Sequence, residues 1–153
     1  MFHFSPETTR ILQQCGWSPT RQIDVTTITA DVRDFVLTVR VHEILSSFGG
    51  LWITPLCDGT QLNPPERLEI VPDPLGFAAD WGKSREILLG APIFPIASWN
   101  ALVVYIDTQD RVFCEFPYDE VFFVAESFER AMEIFVLGHE KIVPWVCILH
   151  NVK

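Results

Sequence analysis

The stretch Leu37 to Ile53, LTVRVHEILSSFGGLWI, constrains the fold more than any other part of the chain. Leu37, Val41, Ile44, Leu45 and Phe48 recur at the spacing of one face of an α-helix. Gly49-Gly50 then stops the helix, because glycine enters the left-handed turn at a helix C-terminus at the least cost. Leu51-Trp52-Ile53 follows, short, apolar and ending near Pro55, and reads as a buried strand. An amphipathic helix therefore turns a two-glycine corner into a strand that lies beneath it. Taken alone, this is the helix-to-strand corner of a generic α+β domain.

The residues before this stretch do not continue the same helix. Val32, Phe35, Val36 and Val39 fall on one side of a helical wheel, and Leu37, Val41, Ile44, Leu45 and Phe48 fall almost opposite. One straight helix cannot bury both sets against one sheet. The phase jump predicts a short helix near Thr29–Arg33, a break around Asp34–Leu37, and a second helix from about Thr38, which can serve as its N-cap.

Other elements carry local signals. Ser5 and Pro6 open a first helix, Ile11, Leu12 and Cys15 form its apolar stripe, and Gly16 closes it before a turn at Trp17-Ser18-Pro19-Thr20. Arg21–Val25 reads as a short extended piece. A strand is expected over Leu51–Leu56, with turns at Asp58-Gly59 and Asn63-Pro64-Pro65. Arg67–Val71 alternates, with Leu68 and Ile70 inward and Arg67 and Glu69 outward. A turn at Asp73-Pro74-Leu75-Gly76 precedes a short helix over Gly82–Leu89, capped by Asp80 and closed by Gly90. Pro92 and Pro95 restrict Ile93–Ile96 to an edge strand or an extended loop. Ala101–Ile106 is the most strand-like run, and Asp107-Thr108-Gln109-Asp110 turns it into Arg111–Glu115. Val121–Val124 is a further strand, and Ser127 caps a helix bearing Phe128, Ala131, Met132 and Phe135 that ends at Gly138. The apolar tail Ile142–Leu149, around Pro144, is able to pack back on the domain.

A chain of 153 residues fits one domain, which needs neither metal nor disulfide to hold it. The reading is a single domain with its core over about 5–138 and an extension over 139–153. No apolar run approaches the roughly 20 residues that span a bilayer, and MFHFSPETTR lacks the basic start and apolar core of a secretion signal. These features lead us to expect a cytoplasmic protein without a membrane span. Cys15, Cys57, Cys114 and Cys147 are widely spaced and form no CxxC pair, so they read as buried small hydrophobes. The net charge of -9 disfavours direct contact with nucleic acid and suits a basic protein partner, although acidity also serves solubility.

Catalytic and metal-binding patterns are incomplete. His42-Glu43 and His139-Glu140 each begin a zinc-protease pattern, but Ser46 and Val143 stand where the second histidine belongs. There is no GxSxG elbow and no phosphate-cradling glycine loop. We expect no metal, no cofactor and no catalytic residue. Trp17, Trp52, Trp81, Trp99 and Trp145 are read as core residues before interface residues.

The landmarks then fall in an order. A capped helix ends in Gly16-Trp17, followed by Arg21 and Ile23-Asp24, and a second helix ends in Phe48-Gly49-Gly50-Leu51. Asp73-Pro74, Leu89-Gly90, Pro95-Ile96, Ile106-Asp107 and Arg111-Val112 come next, and a last helix runs from Ser127-Phe128 to Gly138. From about Ser5 to Gly138 this order resembles the SUKH superfamily, the Smi/Knr and Syd-like group, and within it bacterial toxin-immunity proteins with GW and FGGL landmarks. The second-helix region and the tail depart from that pattern. The resemblance implies an α+β domain with a largely antiparallel sheet, and Gly and Trp landmarks that determine the fold. It also implies a role in binding and neutralising a cognate toxin domain of a polymorphic toxin system. Toxin-contacting residues are not implied by it.

For such a binder the acidic turns are the natural contact candidates. They are Asp58, Glu66, Glu69 and Asp73 on one side, and Asp107, Asp110, Glu115, Asp119 and Glu120 later in the chain. An acidic surface matches the basic cleft of a nuclease toxin and accelerates association by steering. Two other readings stay open: a regulatory or scaffold module of the Smi/Knr or Syd type that binds a resident protein, and an enzyme built on a carboxylate pair.

Overall fold

The computed structural model describes residues 1–72, 76, 78–115 and 120–144. Helices α1 (Pro6–Gln14) and α2 (Val39–Phe48) come first, joined by a 3-10 helix at Ala30–Val32. Strands β1 (Trp52–Ile53) and β2 (Leu68–Glu69), helix α3 (Ala78–Leu89) and strands β3 (Ile93–Trp99), β4 (Leu102–Asp107), β5 (Val112–Glu115) and β6 (Val121–Ala125) follow. Helix α4 (Phe128–Leu137) and strand β7 (Val143–Pro144) complete the described order. The strands form one seven-stranded sheet in strict chain order, every pair antiparallel. This is the α+β class expected from strands that follow one another through turns.

The helix ends are chemically specified. The hydroxyls of Ser5, Thr38 and Ser127 accept from the N–H groups of Thr8, Val41 and Arg130, the third residue of each helix. The break between the 3-10 helix and α2 falls at 33–38, as the phase jump predicts, and Thr38 is the cap. Phe35 anchors this break, its ring 6.2 Å from that of Phe94. The apolar face is narrower than its pattern: Val41, Ile44, Leu45 and Phe48 are buried, whereas Leu37, just before α2, is exposed.

One face of the sheet carries the helical core. Leu68, Ile70, Val104 and Val112 meet Phe128, Ala131, Met132 and Phe135 of α4. Trp17 stacks on Phe48 at 5.5 Å, and Phe48 in turn lies 5.2 Å from Phe128 and 4.9 Å from Phe2. The landmarks of the first subsection converge here. Arg21 donates to the carbonyls of Ser47 and Gly49, both at 2.8 Å, where α2 ends and its dipole favours a cation. The indole N–H of Trp17 donates to Ser47 at 3.1 Å. The opposite face holds Tyr105, Phe113 and Glu115 by strand alternation, and Arg85 of α3 pairs with Glu115 there.

Three local expectations are corrected. Leu51-Trp52-Ile53 is not buried throughout: Leu51 and Ile53 are, but Trp52 is 52% exposed. It stands opposite Glu69 on the wet face of β2. Asp80 lies inside α3, which starts at Ala78, so it is not the cap. Ile93–Ile96 opens a longer strand, buried from Ile93 to Trp99, and the expected edge holds only for this first half, because the end at Ser98 and Trp99 lies between β2 and β4. The prolines are accommodated because β2 pairs only with Ser98 and Trp99, leaving the half with Pro95 a single neighbour, β4, and a register shift between Pro95 and Ala97.

Candidate functional site

The acidic candidates separate into carboxylates that build the fold and carboxylates that face water. Asp107 opens the β4–β5 turn and is 5% exposed. Its Oδ1 accepts from the N–H groups of Gln109 and Arg111, both at 2.9 Å, and its Oδ2 pairs with Arg111 Nε at 2.7 Å. A side chain bonded in this way holds the turn in which Asp110 takes a φ of 69°. Asp107 was expected on an accessible acidic face, and its burial removes it from one.

Asp110 belongs to a network centred on Arg40 of α2. The Arg40 guanidinium reaches Asp110 at 2.9 Å, Glu129 at 2.7 Å and Glu43 at 3.1 Å, and lies 5.1 Å from the ring of Phe2. Asp110 also accepts from the backbone N–H of Phe128 at 3.3 Å. Burial disfavours the Arg40 charge, but its hydrogen bonds to Asp110 and Glu129 outweigh it and raise its pKa. One arginine thus ties α2, the β4–β5 turn and the start of α4 together.

Glu115 is buried at 2% exposure, bonded by the Tyr105 hydroxyl at 3.0 Å and paired with Arg85. Burial pushes its carboxyl above the ordinary range, against the downward pull of Arg85 and Tyr105. Its neighbour Cys114 has its thiol pushed up to about 12 by burial and by Glu115. Glu115, like Asp107, is therefore corrected from a surface to an interior role. For Glu115 the folded chain holds the proton more tightly than the unfolded chain. Its contribution to stability is therefore full below the ordinary 4.5 and lost as pH rises through the folded pKa. Glu115→Gln, which keeps the acceptor and the shape, should flatten that decline. Urea midpoints measured from pH 4.5 upward should converge at the acid end and favour the variant as pH rises. Parallel curves would show that Glu115 ionises in the fold as it does unfolded.

Of the other candidates, Asp58, Glu66, Glu69 and Glu120 are described, and all four are at least partly exposed. Asp58 is exposed in its turn and held below its usual range by Thr60, with His139 3.6 Å away. Glu66 and Glu69 are half-buried, and Glu120 is exposed. Asp73 and Asp119 lie outside the described residues, as do Pro74, Leu75 and the tail from Trp145. Among the described residues, the two buried carboxylates, Asp107 and Glu115, are each paired with an arginine. No group of three or more His, Cys, Asp or Glu among the described residues is placed to hold a metal ion. No helix among them is long and apolar enough to cross a membrane.

Two features were missed in the sequence. Arg67 lies over the exposed ring of Trp52 at 4.1 Å, so an aromatic and a guanidinium are presented together at the β1 edge. The alternation of Arg67 and Glu69 on β2 carried the signal, since a strand paired beside a wet face exposes its own alternate residues. The second is an apolar cleft of about 270 Å³ beside Trp99, with Glu66 in its lining. Its walls come from five separate segments, which no local pattern connects.

No curated protein and no solved structure matches the chain. A family model does match, over residues 4–138, from α1 to the glycine that closes α4, and by that match the chain belongs to the SUKH-3 immunity protein family.

Proposed function

We propose that this protein binds a cognate toxin domain in the cytoplasm of the cell that makes the toxin, and neutralises it by covering its active site or substrate groove. Membership of an immunity protein family over residues 4–138 carries this reading. Charge gives it direction: the chain is -9, and Arg40, Arg85 and Arg111 are engaged with carboxylates inside the fold. An acidic binder suits a basic nuclease cleft. The protein acts by contact and supplies no catalysis of its own.

The direct test is co-expression with the toxin domain encoded beside this gene. Cells carrying both should grow, and cells carrying the toxin alone should not. Failure to protect, with no complex on mixing, would move a regulatory module that binds a resident protein ahead. Of the candidate carboxylates, Glu66 and Glu69 adjoin the Trp52–Arg67 pair, a composition enriched at interfaces. Reversing both to lysine should lower the association rate severalfold at low salt and leave the unfolding midpoint nearly unchanged. The difference should shrink near 0.15 M salt, where the Debye length is about 8 Å. Equal rates for both proteins at every salt concentration would leave the acidity to solubility alone.

A further inference from the structure

We propose that the apolar cleft beside Trp99 is the anchor site for the toxin, taking one large apolar side chain that a basic residue flanks. This inference rests on the immunity reading above and names the surface through which it operates.

The cleft opens to solvent and its lining is mostly apolar. Trp99, Leu102, Cys114, Phe122 and Ile142 line it together with Glu66. Strand register puts Cys114 opposite Phe122, and Trp99 and Leu102 pair across the β3–β4 turn. A cavity of ~150 Å³ lined by aliphatic and aromatic groups already admits benzene. At about 270 Å³ this cleft accepts a phenylalanine, leucine or tryptophan side chain. It is smaller than the roughly 300–1,000 Å³ usual for sites of drug-sized ligands. Interfaces concentrate their energy where such an anchor fills a desolvated pocket.

The walls are fixed before any partner arrives. The Trp99 indole N–H is satisfied by the Glu66 carbonyl at 3.1 Å, so the cleft is offered a ring and no unmet donor. The ring also rests 5.2 Å from Phe135. Asn63 donates to the Glu140 carbonyl and accepts from the Ile142 N–H at 3.2 Å, holding the Ile142 wall to the loop before Glu66. The Asn100 N–H is bonded to the Arg67 carbonyl at 3.3 Å, fixing the turn. A preformed pocket loses little freedom on binding, which favours affinity. Cys114 is 1% exposed with its thiol held protonated, so the floor behaves as a hydrophobe. Glu66, a half-buried acidic residue of the lining in a chain of -9, complements a lysine or arginine beside the anchor.

The test uses the full chain and the toxin domain encoded beside its gene. Ile142→Trp fills the cleft from its rim, and Leu102→Phe fills it from the strand side; both variants are first checked for wild-type thermal unfolding. Filling the cleft should weaken toxin binding at least about thirtyfold, the effect of losing one hot-spot side chain, and should act on the dissociation rate. The control Val39→Ser, on an exposed residue of α2, should change the affinity less than about twofold. If the toxin binds the wild type and the folded cleft variants alike, the anchor site is overturned and the immunity reading stands. If the wild type itself does not bind the toxin, the immunity reading fails and takes the anchor with it. If one filled variant unfolds, the other decides. Titration of the wild type with indole, followed by backbone amide shifts, gives an independent readout: shifts at Leu102 and Ile142 support the cleft, and their absence counts against it.

Discussion

Replacing Arg40 by methionine should lower the unfolding free energy by about 2–3 kcal/mol, somewhat less than the about 3–5 kcal/mol lost when one partner of a fully buried ion pair is removed. The discount is for solvent, since the Arg40 side chain is 31% exposed. The cost arises chiefly from what remains. Asp110, Glu129 and Glu43 all face the guanidinium at 3.1 Å or less, and without it three carboxylates share one site. Asp110 would still bond the N–H of Phe128, so the charge cannot simply swing into water. The variant should therefore recover part of its loss in high salt, where repulsion is screened, and part at acid pH, where the carboxylates protonate. Urea unfolding of both proteins with and without 1 M sodium chloride measures this. A loss independent of salt and pH would mean that Arg40 acts through its packing on Phe2 instead of its charge.

Gly49→Ala should be more damaging than Gly50→Ala. Gly50 takes a φ of 76°, and a methyl group there meets nothing within 4 Å. Its replacement costs only the left-handed backbone, about 1–2 kcal/mol. Gly49 sits at φ -52° and ψ 138°, which alanine adopts freely. Yet its methyl group would press on the Leu45 carbonyl oxygen and lie 2.6 Å from Ile28 Cδ1 and 3.0 Å from Ile23 Cδ1. Overpacking against backbone places the loss at the top of the usual range, about 3 kcal/mol. Urea midpoints of the two single variants give the order directly. The reverse order would make conformation, not crowding, the reason for the glycine pair.

That contrast shows where sequence reading reached and where it stopped. The corner at Phe48-Gly49-Gly50-Leu51 was legible because its cause is local: a helix has to end, and one glycine takes the left-handed turn. The other glycine, Gly49, serves a close approach by Ile23 and Ile28, more than twenty residues upstream, and no local pattern shows it. The caps at Ser5, Thr38 and Ser127 were legible for the same reason as the corner. The Arg40 network was not, since its partners Asp110 and Glu129 lie 70 and 89 residues away. Asp107 is an intermediate case. Its burial needed the structure, but Arg111 four residues later was a local hint that the carboxylate had a partner. The candidate surface was legible mainly as charge. The aromatic pair at Trp52 and the cleft at Trp99 depend on which strands lie side by side.

The strict chain order of the sheet bears on how such a protein is made. Strands β3 to β6 pair with immediate neighbours, so they can zip together as they emerge from the ribosome. The helical cover has a different schedule. The Ser5 N–H bonds Glu133 at 2.6 Å across a separation of 128 residues, and Phe2 and Phe48 wait for Phe128. A nascent chain stalled before α4 is complete therefore leaves bare the part of its sheet that α4 covers, around Leu68, Ile70, Val104 and Val112. Under the proposed function, a cell is guarded only by finished copies, and the time to translate through Gly138 sets the earliest moment at which the toxin can safely be made.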